Sequence, residues 1–320
     1  MVIGWPRFNI RARRLAPVVA FDWSDNHWLA AWVDPQGSKR QYHTCPVAAT
    51  DGSDTAAAPS LDWAPPLRRW LQEQVGSIQG WTMALSAGAV SHEWVWGAPD
   101  EGVDNLSVND GQGLIAAMPS AWHEAGWSPS PAAAHPKHMD VCPIRAAGAS
   151  GATSRAMPTA VDRWWVAAEP WVVERHRALA DRAGGRLWRL DVRAAALARA
   201  LQARHSGDWP VVLIDFHRGQ TQWMVVDAHS VRTLQSFAHR RLSPAEHSDH
   251  LLAQLQGLAD PTQIQACVCT GEAPAPIATV AQALGWSVSD WPRQGDNLAV
   301  CTAMVDGLLD ALSGEPSRVL

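Results

Sequence analysis

Apolar residues in this chain fall in short runs separated by turn-forming residues, and in two places a run that ends on an acid opens a hairpin. Pro17–Asp22 reads as a strand closing on Asp22, and Trp28–Asp34 as the strand that returns. The polar stretch Trp23-Ser24-Asp25-Asn26-His27 between them predicts a β-hairpin. Residues 48–60, rich in Ala, Thr, Ser, Asp and Gly, predict a loop. Leu67–Val75 has helical spacing, with Pro65 and Pro66 at its start, where missing N–H groups cost least. Thr82–Leu85 reads as a short strand. From Gly97 to Met157 the composition shifts toward Ala, Gly, Pro and Ser and periodicity weakens, with Ala146–Ser154 close to low complexity. This stretch predicts a small subdomain with long loops.

Regular patterning returns at Arg163–Ala168, an apolar strand. Val172, Val173, His176, Leu179, Ala180 and Ala183 then recur at helical spacing, with Pro170 near the first position and Gly184-Gly185 as the stop. Leu187–Leu190 predicts a short strand, and Asp191 a cap for the Ala-rich helix 192–203. A second acid-tipped hairpin follows: strand Pro210–Asp215, turn Phe216–Thr221, return strand Gln222–Asp227. Ser230–His239 predicts a further strand, Ser243 the start of a helix to about Leu258, and Gln263–Thr270 a strand. Gly271-Glu272-Ala273-Pro274 turns into helix 275–284, Trp286–Ser289 is a short strand, and a last helix begins near Asn297. Each half therefore opens with a hairpin whose first strand ends on Asp, which predicts two similar α/β halves around a cleft.

Composition narrows the function classes. A length of 320 residues suits about two domains and buries a core without staples. With 47% apolar and 18% charged residues, bulk disorder is excluded. The net charge of −5 offers no overall basic face for nucleic acid. No apolar run approaches the ~20 residues of a spanning helix. Five cysteines without framework spacing imply reduced thiols and a cytoplasmic location. The N-terminus carries Arg7, Arg11, Arg13 and Arg14 before the first acid, Asp22, and reads as a solvated tail; the sharper alternative is a weak contact with a membrane surface or acidic partner. Nineteen Trp stand beside four Phe and one Tyr, which reads as Trp filling slots usually held by Phe or Tyr.

Two acid-tipped hairpins, followed by a strand–Gly–helix turn, resemble the fold shared by actin, heat-shock chaperone ATPases and sugar kinases. Within that group the chain resembles the PilM-like branch, cytoplasmic proteins of type IV pilus assembly. The resemblance is carried by Trp164-Trp165-Val166-Ala167-Ala168-Glu169 through Leu190-Asp191-Val192-Arg193-Ala194-Ala195-Ala196-Leu197, and by Pro210–Asp215 as a second phosphate strand. The basic tail running into Ala16–Asp22, and Thr82–Val90 as the strand leading into a small inserted subdomain, extend it over nearly the whole chain. It implies a two-lobed, actin-like (ribonuclease H-like) α/β fold. Residues 1–80 and 166–209 would form the first core subdomain, 81–165 the insertion, and 210–320 the second core subdomain.

Proteins of this fold hold nucleotide phosphates on two loops that read Asp-Ile-Gly followed by small hydroxyl residues. The acids organise Mg²⁺ through waters. Glycine lets backbone N–H groups approach the phosphates without a Cβ in the way. Here the first loop keeps Asp22, but Ser24 takes the glycine place, Asp25 adds negative charge, and Asn26 follows. The second loop keeps Asp215, but His217 takes the glycine place, Gly219 is displaced by two, and Arg218 and Thr221 are the remaining phosphate contacts it offers. The nucleoside-facing turn retains only Gly271. The resemblance therefore implies a vestigial cleft of Asp22, Ser24, Asp25, Asn26, Asp215, His217, Arg218, Gly219, Thr221 and Gly271. No cofactor is expected and no ATPase activity. The plainer reading of Asp22 and Asp215 is that they cap their hairpins.

Other constellations are weaker. His135, His138, Asp140 and Cys142 are zinc-compatible types, but no second pair or i, i+4 arrangement supports a site, and they read as solvated loop residues. His247 and His250 share one side of a helix and read as solvent-facing. Cys267 and Cys269 share a strand face and read as buried thiols. No P-loop, Gly-x-Ser-x-Gly elbow, Gly-x-Gly-x-x-Gly or His-Glu-x-x-His is present.

The resemblance implies a scaffold of pilus or related secretion machinery, a pseudo-ATPase peripheral to the inner membrane through its partner. That partner would be the cytoplasmic N-terminal peptide of a bitopic, PilN-like membrane protein, docked between the first core subdomain and the insertion. Self-association is left open. The alternatives are an ATP- and Mg²⁺-binding switch of the same fold, with Ser24, Asn26, Arg218 and Thr221 taking over the phosphate contacts, and a small-molecule kinase of the superfamily.

Overall fold

A computed structural model describes residues 18–23, 27–33, 40–46, 58–75, 80–99, 138–144, 160–205, 207–228, 231–258, 263–271, 273 and 276–290. The first hairpin pairs β1 (Val18–Trp23) with β2 (His27–Val33), in a register that sets Asp22 opposite Leu29. The second pairs β9 (Val211–His217) with β10 (Gln220–Val226) and sets Asp215 opposite Gln222. Its turn is tighter than the sequence predicts. Only Arg218 and Gly219 lie outside the strands, at φ 54° and 72°. Two residues at positive φ match the right-handed twist of the flanking strands.

Two five-stranded sheets follow one plan. The first has the order β3-β2-β1-β4-β8, with β3 Arg40–Pro46, β4 Gly80–Leu85 and β8 Leu187–Val192. The second has the order β11-β10-β9-β12-β13, with β11 Val231–Ala238, β12 Ala266–Gly271 and β13 Ser287–Asp290. In each, an antiparallel three-strand meander is extended by two parallel strands beside the acid-bearing one. This is the doubled α/β layout predicted from the two hairpins. A third sheet, β5-β7-β6, comprises Val90–Pro99, Ala160–Ala168 and His138–Ile144. Strand β4 lies between β1 and β8 in the first sheet, and the small sheet begins after it.

Helix packing follows the apolar faces. On the outer face of the first sheet, α1 (Ala64–Gln74) and α2 (Pro170–Arg182) bury Leu67, Trp70, Leu71, Leu179 and Ala180 against Phe21, Trp81 and Met83. On the outer face of the second, α4 (Pro244–Gln256) and α5 (Ile277–Leu284) cover Val212, Ile214, Phe216 and Trp223. Helix α4 starts where Ser243 predicts, with a reciprocal Ser243–Glu246 capping box. Between the inner faces runs α3 (Arg193–Arg204). Its Ala194, Ala196, Leu197, Ala198 and Leu201 share one core with Ala20 and Ala84 of the first sheet and Leu213 and Met224 of the second. A helix so rich in alanine belongs in such a place, since alanine lets both sheets approach, and its polar Arg199 and Gln202 find partners in Asp191 and the Asp227 carbonyl.

Several expectations change. Arg40–Pro46 forms a strand although its sequence is polar and carries no apolar run. Asp191 does not cap α3: Val192 holds the N-cap position, while the Asp191 carboxylate accepts from the Val192 N–H at 2.9 Å and pairs with Arg199 and Arg189. Part of the His135–Cys142 stretch lies on strand β6 rather than in a loop, and His135 lies outside the described residues. The helix predicted from Asn297 also lies outside them. Cys267 and Cys269 are buried, as the strand pattern predicts. Buried Trp23, Trp32, Trp63, Trp70, Trp81, Trp223 and Trp286 fill the cores, as their abundance suggests.

His247 does not face solvent. It is fully buried, and its Nε2 lies 2.8 Å from Thr221 Oγ1, between the rings of Phe216 and Phe237. His176 of α2 is equally buried. Its Nδ1–H donates to the Val172 carbonyl at 2.7 Å, and its ring packs on Trp23. Burial pushes both imidazoles down from 6.5 to about 4. A depressed histidine stabilises the fold fully above its unfolded value and loses that contribution as pH falls. The melting temperature is therefore expected to decline between pH 6.5 and about 4. His176→Leu is expected to flatten that decline, measured by thermal denaturation across the pH series.

Candidate functional site

The two acid-tipped strands meet at the first residue of α3. Asp22 alternates with Phe21 and Trp23, which face the outer core, and so points inward with Ala20. Asp215 likewise points inward with Leu213. Both carboxylates are buried. Between them sits the guanidinium of Arg193. Its Nε donates to Asp215 Oδ2 at 2.7 Å and its Nη2 to Asp215 Oδ1 at 3.1 Å, a bidentate fork. Its Nη1 donates to Asp22 Oδ2. Both acids bind one arginine, a role that the plainer expectation of hairpin capping did not include.

The electrostatics explain the arrangement. A cation at a helix N-terminus is opposed by the helix dipole, and this one is also buried. It is held there by the two carboxylates. Their charge drives the guanidinium pKa upward against the opposing effect of burial. Burial pushes the Asp22 carboxyl up, against the downward pull of Arg193. Removing one partner from such a buried cluster leaves uncompensated charge and typically costs about 3–5 kcal/mol.

The second hairpin adds two contacts to the first. His217, in the place of the lost glycine, donates from Nε2 to the backbone carbonyl of Trp23 in the first hairpin at 2.5 Å. Burial holds this imidazole well below its ordinary pKa, and the nearby Arg193 and Arg218 add to that effect, so it is neutral. Its Nε2 is 4.0 Å from Asp22 Oδ1. Arg218 places its guanidinium 5.2 Å from the centre of the Trp23 ring.

Of the other expected site residues that are described, Thr221 turns away from the acids, and Gly219 and Gly271 answer to local packing. Thr221 lies on the opposite face of the second sheet from Asp215, where its Oγ1 is 2.8 Å from both His239 Nδ1 and His247 Nε2. Gly219 serves the hairpin turn, and a Cβ there would meet the Arg240 side chain at 2.1 Å. Gly271 ends β12 beside Phe216 at φ 83°, where a Cβ would lie 1.9 Å from the Phe216 carbonyl oxygen. Its glycine character is thus required by the approach of two strands. Ser24, Asp25 and Asn26 lie outside the described residues.

The residue that sequence reasoning missed is Arg193. Its signal was present, as a charge at the head of the alanine run Ala194-Ala195-Ala196, in a helix whose neighbouring positions are buried in the shared core. As the described residues lie, they do not fit a magnesium-bound nucleotide. The two carboxylates that would organise the metal already bind a cation, the second loop presents a His side chain in place of open backbone, and Thr221 points away.

Comparison with known proteins supports the fold. No protein-family model matches the chain, and no curated protein sequence matches it. Among solved structures, it is similar to a protein of the "PilM-PilN type IV pilus biogenesis complex", with 13% identity and a TM-score of 0.68, over 92% of this chain and 98% of that one. It is also similar to a Bacteroides thetaiotaomicron protein of actin-like ATPase fold and unknown function, with 8% identity and a TM-score of 0.52, over 92% and 96% of the two chains. The fold is that of the actin-like ATPases.

Because Gly271 answers to strand packing, Gly271→Ala is expected to lower unfolding free energy by on the order of 3 kcal/mol in urea titrations, with or without nucleotide in solution.

Proposed function

We propose that this chain is a non-enzymatic scaffold of type IV pilus or related secretion machinery. Its partner is the cytoplasmic N-terminal peptide of a PilN-like inner-membrane protein, which would hold the scaffold at the cytoplasmic face of that membrane. The observation that carries this reading is the fold match along 98% of a protein solved as a PilM–PilN complex. Among the described residues no helix is long and apolar enough to cross a membrane, which agrees with recruitment through a partner.

The peptide would dock in extended form between the first sheet and the small β5-β7-β6 sheet. Main-chain hydrogen bonds supply affinity in that mode and side-chain pockets supply specificity. Nucleotide plays no part in this reading, because the cleft acids are committed to Arg193. An ATP-driven switch or a kinase would need the phosphate donors that His217 and Thr221 do not provide.

Fluorescence anisotropy with a labelled peptide from the cytoplasmic N-terminus of the PilN-like protein of the same organism tests the proposal. Saturable binding is expected, with an affinity that does not change when Mg²⁺-ATP is added. Absence of binding, or binding only with Mg²⁺-ATP, would overturn it.

A further inference from the structure

We infer that Arg193 is the resident cation of the cleft: its guanidinium stands where a metal-bound phosphate ligand would bind and ties the two lobes together without any ligand. This rests on the scaffold reading and specifies how the cleft of that scaffold is held. Three observations carry it. The guanidinium contacts both acid tips at once, one from each sheet, with a bidentate fork on Asp215. Its backbone begins the helix packed between the inner faces of the two sheets, so its position is fixed relative to both. The residue that displaced the phosphate-loop glycine closes the same gap, His217 onto the Trp23 carbonyl.

A divalent metal and a guanidinium have the same sign and would use the same carboxylates, so the two are mutually exclusive here. A phosphate attracted to Arg193 would have to approach against the negative charge of Asp22 and Asp215, of which Asp22 Oδ2 and both Asp215 oxygens already accept its N–H groups. The inference has a consequence for the acids themselves. Without the arginine they become a facing carboxylate pair in a buried site, an arrangement that attracts a hard cation.

The test is thermal denaturation of the full chain with MgCl₂, MnCl₂ or Mg²⁺-ATP at millimolar concentration. Wild type is expected to show no saturable shift. Arg193→Ala is expected to melt lower and to gain a saturable upward shift with Mg²⁺ or Mn²⁺, as a new ligand site requires. Adding Asp22→Asn and Asp215→Asn to that variant should abolish the response. A saturable Mg²⁺-ATP shift in wild type would overturn the inference, as would an Arg193→Ala protein no more responsive to cations than wild type. Should Arg193→Ala fail to fold, the charge-free combination D22N/R193M/D215N decides. Its recovery as folded protein supports a charge-balancing role, because neutral groups of similar volume replace a buried ion cluster without large cost. Its failure would mean that packing, not charge, is what Arg193 supplies. Peptide binding by the wild-type chain is read separately, so loss of the scaffold reading and loss of this one are distinguishable.

Discussion

A buried charge must be balanced where it lies, and in this protein that requirement joins three elements at one point. Arg193 can begin α3 only because Asp22 and Asp215 reach it, and the two acids can be buried only because Arg193 lies between them. The helix dipole adds to the demand, since it disfavours a cation at that end. One cluster thereby fixes the start of the inner helix and the facing ends of both hairpins. The alanine surface of α3 then brings the sheets close enough to complete the shared core.

The repeated sheet order shows why the acids meet. Each sheet carries its Asp near the end of its central strand, on the inner face, one residue from aromatic side chains that anchor the outer core. Period-two alternation makes this obligatory. Once Phe21 and Trp23 face outward, Asp22 faces the cleft, and once Ile214 and Phe216 do so, Asp215 follows. Thr221 shows the same rule from the other side. It pairs with Phe216 across the hairpin and shares its face, so it joins His239 and His247 instead of the cleft.

Much of the fold was legible for this reason. Apolar runs, hairpin turns and the Pro and Gly marks around α2 carry local physics that sequence displays directly. The two acid-tipped hairpins implied the doubled architecture. Strand β3 was not legible, because pairing at the edge of an existing sheet needs no apolar run of its own. His247 was misassigned because two histidines at i, i+3 do not reveal which one faces the core. His217 read as a defect in a phosphate loop, when its bond to Trp23 depends on a strand 194 residues away. Arg193 was harder still. Its partners lie 171 and 22 residues away, and only the three-dimensional convergence of two strands and a helix makes it a site.

The changes in this cleft also hold one another in place. Restoring a glycine at position 217 would remove the side chain that bonds the Trp23 carbonyl, yet the two acids would remain bound to Arg193. Removing Arg193 alone would free the acids but leave them repelling one another, with the His217 side chain still across the gap. Each single reversal therefore yields a state poorer in compensated charge or hydrogen bonds than the present one. A cleft that binds a metal–nucleotide and a cleft tied by its own arginine are two self-consistent arrangements of the same fold, and Asp22, Arg193, Asp215 and His217 are arranged in the second way.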